Sequence, residues 1–254
     1  MVKMGMGKSM PYSTIIYITK DHVAYLTLNR PEAANRVNLE LSQELEDACC
    51  QINQDDEVYV VVLSGAGDVF CGGGEEKGVV YSVASAVADI EKPVIVAING
   101  DTLGQGLELA LSCDIRLASD KAKFGFPQLA QGLIPADGGT QRLARLVGRG
   151  KALELILTAE TITAAEALEI GLVNKVVARK ELAAEAETLA ATTASKGPIA
   201  LRFIKEAVSK GLDLTLEQGL RLEGDLYFLL HTTADRTEGI NAFLKKRPPK
   251  FKNR

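Results

Sequence analysis

The sequence predicts an α/β fold that ends in a helical region, and three observations support this prediction. Short β-branched runs alternate with helical segments as far as about residue 126. From Gly138 onward the pattern is almost entirely helical. The 254 residues are 46% hydrophobic, which suits one domain with a sizeable core. We therefore expect a mobile N-terminal extension, an α/β core and a C-terminal helical region, at residues 1–13, 14–195 and 196–254.

The first half of the core is predicted to alternate strands and helices. The run Pro93–Gly100 is short, continuous and rich in β-branched residues, which is typical of a buried strand. The predicted elements are, in chain order, a hairpin (15–18 and 24–29), a helix (39–53), two strands (58–64 and 93–100), a helix (107–113) and two further strands (114–118 and 123–126).

The helices of the second half are predicted mainly from their ends. Thr163-Ala-Ala-Glu166 is a capping box that opens a helix, and Gly171 is a suitable stop for it. Thr215-Leu-Glu-Gln218 is a second capping box, which opens a long amphipathic helix that runs to about Leu230. Other helices are predicted at residues 138–147, 199–210 and 237–244.

Charge and composition exclude several classes of protein. The net charge is −4, although six of the last ten residues are basic, so the rest of the chain sums to about −10. An acidic body is unlike a nucleic-acid-binding surface. No apolar stretch approaches the ~20 residues of a membrane span. We expect neither a nucleic-acid partner nor a membrane partner.

The cysteines and histidines indicate a reducing compartment and no metal. The four cysteines lack metal-site spacing, and neither histidine lies in a recognisable motif. Free thiols are typical of the cytoplasm, which is the localisation we expect. Residues 1–13 lack the apolar centre of a signal peptide.

A single carboxylate, Glu108, lies inside an apolar run directly after the glycine-rich turn Gly104–Gly106. Burial penalises an ionised side chain, so this glutamate must be paired, hydrogen-bonded or protonated. One interpretation is an acid/base group in an active site. The alternative is a structural glutamate that caps a neighbouring loop.

Three consecutive glycines, Gly72–Gly74, come soon after the predicted strand at 58–64. Such a turn lets backbone N–H groups point at a ligand oxygen, as in one half of an oxyanion hole. An ordinary flexible loop is the alternative, and a glycine triplet alone favours that alternative.

A series of motifs in a fixed order resembles the enoyl-CoA hydratase/isomerase (crotonase) superfamily from about Ile15 to Phe251. Each motif is weak alone, but the ordered set is specific for the superfamily. The motifs are Leu28-Asn-Arg-Pro31, Phe70-Cys-Gly-Gly-Gly74, Ile98-Asn-Gly100, Leu103-Gly-Gln-Gly-Leu-Glu-Leu-Ala-Leu-Ser-Cys-Asp114, Phe124-Gly-Phe-Pro127, Gly132-Leu-Ile-Pro135, Gly138-Gly-Thr-Gln-Arg-Leu143, Ala165-Glu-Ala167, Gly171-Leu-Val173 and Glu238-Gly-Ile-Asn-Ala-Phe243.

The resemblance implies a spiral of ββα units followed by a C-terminal helical trimerisation region. It also implies a homotrimer or a dimer of trimers. The substrate it implies is an acyl-CoA thioester, or an acyl-carrier-protein thioester, with no cofactor beyond the coenzyme A of the substrate.

The resemblance also assigns the site residues. The backbone N–H groups of Gly74 and Gln105 would bind the thioester oxygen of an enolate, with Gln105 in place of a usual glycine. Glu108 would be the catalytic acid/base group. The residues expected to contact substrate or coenzyme A are Ala34, Arg36, Val37, Gly72, Phe243 and Lys246, the last two often across a subunit boundary.

The second catalytic glutamate of family hydratases is replaced by Gln128, which orients water through its amide but does not titrate. Asp137 stands in Pro135-Ala-Asp-Gly-Gly139, a turn where several relatives carry an acidic group. We predict Asp137 as the second acid/base group. An N-cap of the following helix is the alternative.

Three functions remain compatible with the sequence. The first is addition or removal of water, or a double-bond shift. The second is another crotonase reaction, namely C–C cleavage, decarboxylation or thioester hydrolysis, for which Gln128 makes room. The third is a non-catalytic thioester-binding subunit, against which Glu108 and the glycine-rich turn argue. The 18 residues 75–92 form a short segment, which predicts an open acyl pocket that accepts branched or cyclic groups.

Overall fold

A seven-stranded sheet forms the centre of the molecule in a computed structural model that describes residues 9–254. Its strand order is β1-β2-β3-β4-β5-β7-β10, with β6, β8 and β9 in a separate three-stranded sheet. The strands are β1 Ser9–Met10, β2 Ile15–Lys20, β3 Val23–Leu28, β4 Val60–Gly65, β5 Val94–Ile98, β6 Thr102–Leu103, β7 Ile115–Ser119, β8 Lys123–Gly125, β9 Thr161–Thr163 and β10 Lys175–Val177.

The helices lie between and after these strands. They are α1 Leu39–Gln54, α2 Val83–Ala88, α3 Gln105–Leu111, α4 Gly139–Val147, α5 Arg149–Thr158, α6 Ala164–Glu169, α7 Leu182–Ala194, α8 Pro198–Gly211, α9 Leu216–His231 and α10 Ala234–Leu244. Both predicted capping boxes are present, at Thr163 with Glu166 and at Thr215 with Gln218.

The predicted spiral of ββα units is confirmed. The hairpin β2–β3 starts the large sheet, and β3, β4, β5, β7 and β10 then follow in parallel. After the long strand β5, the chain makes the short strand β6 and then the helix α3. The preceding unit has the same order. Its long strand is β4, its short bridge pairs Cys71 with Thr102, and its helix is α2. Successive units therefore bring their short bridges together on one side of the large sheet.

The predicted N-terminal extension needs a correction. Residues 1–8 lie outside the described residues, but Ser9–Met10 pairs with β2 as an antiparallel strand. Tyr12 donates a hydrogen bond to Asp47, and the Ser13 backbone N–H donates one to Glu44. Because β2 and α1 hold these residues, ordered structure begins before residue 14.

Two regions of the chain differ sharply in burial. The large sheet and α1–α3 pack into one continuous apolar core, and α7 covers the other face of the sheet. The helices α8–α10 expose many large apolar side chains, which include Leu216, Phe228 and Phe243. Within residues 9–254, no helix is both long and apolar enough to cross a membrane.

Candidate active site

A cavity of about 300 Å³ lies where three segments meet, namely the glycine turn 72–74, the N-terminus of α3 and the 3-10 turn Pro127–Gln131. The predicted residues Gly72, Gly74, Gln105, Glu108 and Gln128 all line it. Apolar side chains that sequence reasoning missed form another part of its wall, namely Val79, Val80, Leu133 and Ile134.

Glu108 is fully buried in α3 and has one oxygen bound and one oxygen free. Its Oε1 accepts hydrogen bonds from the backbone N–H groups of Asp137 (2.7 Å) and Gly139 (2.9 Å). Its Oε2 is buried and has no hydrogen-bond partner within the described residues. The carboxylate is therefore oriented by its first oxygen, and the second oxygen is available to a ligand in the cavity.

The environment of Glu108 raises the pKa of its carboxyl. Burial raises the pKa of this carboxyl above its ordinary value, and the nearby charge of Asp137 raises it further. The two backbone hydrogen bonds and Arg142 act in the opposite direction. A carboxyl whose pKa is raised takes up a proton more readily than an ordinary glutamate, which suits a group that both accepts and returns a proton.

Gly139 has no room for a side chain, because Phe126, Pro135 and Glu108 surround it. A Cβ atom at this position would lie 3.0 Å from Cγ of Glu108 and 2.8 Å from the ring of Phe126. The Gly138-Gly139 pair in the sequence was the signal for this close approach. The two interpretations of Glu108, a cap of a neighbouring loop and an acid/base group, are therefore compatible. Its Oε1 binds the backbone of the loop 137–139, and its Oε2 is left for a ligand.

The backbone N–H groups of Gly74 and Gln105 form the candidate oxyanion hole. Val37 bridges to the glycine turn through its N–H to Gly73 O and through its carbonyl to Glu75 N, both at 2.8 Å. The N–H of Gly74 therefore points away from Val37. Gln105 is the first residue of α3, where N–H groups have no intrahelical acceptor.

The two N–H groups are brought together by a close approach of their turns. Gly73 has φ of 101°, and a Cβ there would lie 3.9 Å from Gln105 N. In the described part of the chain, neither the Gly74 N–H nor the Gln105 N–H donates to a protein acceptor. Such a pair of preorganised donors is suited to stabilise a developing oxyanion.

Two glutamine side chains complete the polar lining. Gln105 Nε2 donates to the Tyr81 carbonyl at 2.8 Å, which holds the loop 75–82 against α3. Gln105 Oε1 is buried and without a hydrogen-bond partner among residues 9–254. Gln128 Oε1 is also buried and without a hydrogen-bond partner in the described part of the chain, and the Gln128 amide lies beside Gly104.

Asp137 lies beside Glu108, but its side chain does not line the cavity. Its Oδ2 accepts from Ala84 N at 2.7 Å and its Oδ1 accepts from Ser85 Oγ at 3.2 Å, so the carboxylate faces α2. The alternative prediction, an N-cap of α4, is wrong, because Gly138 occupies that position and α4 has no side-chain cap. The acid/base role of Asp137 stays a prediction that its side-chain direction does not favour.

The predicted coenzyme A contacts fall into two groups. Ala34, Arg36 and Val37 lie next to the glycine turn, where Ala34 O accepts from Gly72 N at 2.9 Å. Val37 is fully buried, and its backbone N–H and carbonyl are both hydrogen-bonded to the segment 73–75, so it supports the glycine turn and is not exposed to a ligand. Phe243 and Lys246 lie at the end of α10, are exposed and do not line the cavity of this chain.

Comparison with known proteins agrees with the fold. The family model for enoyl-CoA hydratase/isomerase matches residues 19–254. The chain belongs to the enoyl-CoA hydratase/isomerase family. As a member of this family, the protein is an enzyme.

Relatives in this family match over nearly their full length. A crotonyl-CoA hydratase from Syntrophomonas wolfei is 39% identical, over 95% of this chain and 99% of that protein. A short-chain-enoyl-CoA hydratase from Clostridium acetobutylicum is 40% identical, over 96% of this chain and 100% of that protein. An enoyl-CoA hydratase structure from Bacillus anthracis has a TM-score of 0.92 at 40% identity, over 95% of this chain and 100% of that one.

Proposed function

We propose that this family member adds water to, or removes it from, an enoyl thioester of coenzyme A. The observation that carries the proposal is the free Oε2 of Glu108, buried in the same cavity that receives the N–H groups of Gly74 and Gln105. This arrangement offers one proton-transfer group and two donors for a thioester oxygen. A reaction through a thioester enolate needs both a group that transfers the proton and donors that stabilise the negative oxygen.

Glu108 serves in both proton transfers of the proposed reaction. It accepts a proton from water as the water oxygen bonds to the β-carbon, and it returns the proton to the α-carbon. Gln128 orients the water through its amide. The N–H groups of Gly74 and Gln105 stabilise the negative charge on the thioester oxygen between these two steps.

A double-bond shift is the second candidate, and the absence of a second inner carboxylate favours it. The other titratable residues of the cavity lining, Glu76 and Lys77, are exposed on the loop 75–82. A shift needs one group that moves a proton between the α- and γ-carbons. Glu108 alone supplies that group.

The acyl part of the substrate is proposed to lie against Val79, Val80, Leu133 and Ile134. Ile134 is 72% exposed, and α2 above this wall has only six residues. A short helix leaves this side of the pocket open, which favours branched or cyclic acyl groups over small ones. The reaction needs no cofactor beyond the coenzyme A, or the carrier-protein arm, of the substrate.

The assembly is proposed to be a homotrimer or a dimer of trimers in the cytoplasm. The helices α8–α10 expose apolar side chains that their own chain does not cover, which is typical of an interface. Phe243 and Lys246 would then contact the coenzyme A bound to a neighbouring subunit. The four free cysteines agree with a reducing compartment.

A substrate panel tests the proposed reaction. Crotonyl-CoA, a branched 2-enoyl-CoA, a cyclic 2-enoyl-CoA and a 3-enoyl-CoA would be incubated with the enzyme, and products would be identified by mass spectrometry. We expect hydration or a double-bond shift, with the bulky thioesters preferred. Release of free coenzyme A would instead favour thioester hydrolysis. Binding of all four thioesters without turnover would favour a non-catalytic subunit.

A further inference from the structure

Asp137 joins three parts of the molecule through three different groups. Its backbone N–H donates to Glu108 Oε1 at 2.7 Å, and its carbonyl accepts from Arg142 Nη1 at 3.0 Å. Its carboxylate accepts from Ala84 N and from Ser85 Oγ, at the start of α2. One residue thus contacts the catalytic glutamate, the helix α4 and the helix α2.

The first turn of α2 depends on this contact. Ser82 stands at the N-cap of α2 but makes no side-chain cap, so Asp137 supplies the acceptor that a cap residue normally supplies. A negative charge at a helix N-terminus is also favourable. The loop 75–82 runs directly into this turn and starts after Gly74, the first oxyanion donor.

We propose that Asp137 is a positioning residue, which docks α2 and the loop 75–82 against the turn that orients Glu108. The substrate does not touch its carboxylate, because both carboxylate oxygens are engaged by α2 and the residue does not line the cavity. This inference rests on the proposed function, in which Glu108 and the N–H of Gly74 act on the same thioester.

The charge of Asp137 also acts on Glu108. The charged groups that face Glu108 are Asp137, which raises its pKa, and Arg142, which lowers it. Removal of the Asp137 charge therefore lowers the pKa of Glu108. The limb of the pH–rate profile that reports Glu108 then moves to lower pH.

Asp137→Asn and Asp137→Ala separate positioning from proton transfer. Asparagine keeps an oxygen for Ala84 N and an amide for Ser85 Oγ, so Asp137→Asn should retain kcat/KM within about fivefold at neutral pH. Asp137→Ala should lose about tenfold to a hundredfold in kcat/KM, as expected for a lost charge-assisted hydrogen bond, with KM raised as well. In Asp137→Asn the limb of the pH–rate profile that reports Glu108 should also lie at lower pH than in the wild type.

A control separates the effect on the site from general destabilisation. Asp235 is another buried aspartate that accepts two backbone hydrogen bonds, from Lys252 N and Asn253 N. Asp235→Ala should lower the stability as Asp137→Ala does, but it should leave the pH profile unchanged.

Equal losses of activity for Asp137→Asn and Asp137→Ala would indicate an acid/base group and overturn the inference. Wild-type activity in both variants would also overturn it.

Hydrogen–deuterium exchange tests the docking without turnover. The peptide that covers residues 81–88 should exchange as slowly in Asp137→Asn as in the wild type, and faster in Asp137→Ala. Ser85→Ala removes the weaker of the two contacts and serves as the test if Asp137→Ala does not fold. In this variant the peptide should exchange faster than in the wild type. Wild-type exchange of this peptide in both Asp137→Ala and Ser85→Ala would overturn the inference. Since exchange needs no substrate, a wild type inactive on enoyl thioesters would count against the proposed function and not against the docking.

Discussion

The helices α3 and α9 are both rich in apolar residues, yet their surroundings are opposite. All seven residues of α3 are buried, and one of them is Glu108. Of the sixteen residues of α9, Leu226 alone is buried. In α3 the chain itself removes water, and this burial raises the pKa of the Glu108 carboxyl. In α9 the apolar side chains stay exposed in the single chain, on the surface proposed for assembly.

The comparison shows that one chain uses its apolar residues in two ways. Those of α3 desolvate the Glu108 carboxylate, which the backbone of residues 137–139 holds, as its proposed acid/base role requires. The exposed leucines and aromatics of α9 are not covered by residues 9–254, as the proposed assembly requires. Substitutions in the two helices should therefore affect different properties.

The largest effect is expected for Glu108→Gln. We expect turnover to fall by roughly 10² to 10⁴, because glutamine keeps the shape and the Oε1 contacts but does not transfer protons. Acyl-CoA binding, measured by calorimetry, should remain. The matched control is Glu223→Gln on α9, which should leave the turnover number unchanged. Near-wild-type turnover in Glu108→Gln would remove Glu108 from the mechanism.

Gly106→Ala should have the next largest effect, on the stability of the α3 region. A Cβ at Gly106 would overlap the backbone oxygen of Cys71, which is held in place because it accepts a hydrogen bond from Leu103 N at 3.0 Å. Overpacking of this kind costs about 1–3 kcal/mol. Urea unfolding monitored by circular dichroism measures the loss. An unchanged midpoint would mean that the two segments separate more easily than their contacts imply.

Phe228→Asp should dissociate the assembly while each subunit stays folded. The Phe228 side chain is 72% exposed in the single chain, and burial of a phenylalanine contributes about 1.5–3 kcal/mol. Sedimentation velocity at micromolar concentration should show a shift toward the 27.2 kDa monomer. Ile16→Asp, at an exposed apolar position of β2, is the matched control and should not change the assembly. A monomeric wild type would contradict the proposed trimer.

Gly224→Ala should give the smallest effect, with the opposite sign to Gly106→Ala. Gly224 lies inside α9, and a Cβ there would meet no atom of the same chain within 4 Å. Alanine is favoured over glycine in a helix by about 0.8–1.0 kcal/mol, so we expect a modest gain in the free energy of unfolding. Destabilisation would instead mean that Gly224 packs closely against another subunit. The same urea unfolding experiment serves for both glycines.

Much of the fold was predictable because its signals are local. The strand β5 is a short β-branched run, and the two capping boxes define the starts of α6 and α9 within four residues each. The short strands β6, β9 and β10 and the helix α2 were not predicted. Strands of two or three residues have too few side chains for a period to be recognised, and pairing with distant strands creates them.

The sequence by itself determined the family, the candidate catalytic residue Glu108 and the glycine turns, because residue type and short spacing define each of them. Only the tertiary structure decided what each oxygen of Glu108 does and where Asp137 points. The partner of the Asp137 side chain, Ala84 N, is 53 residues away along the chain. The partners of Glu108 Oε1 are about 30 residues away. Contacts at such separations depend on how the units of the spiral stack, which no local pattern encodes.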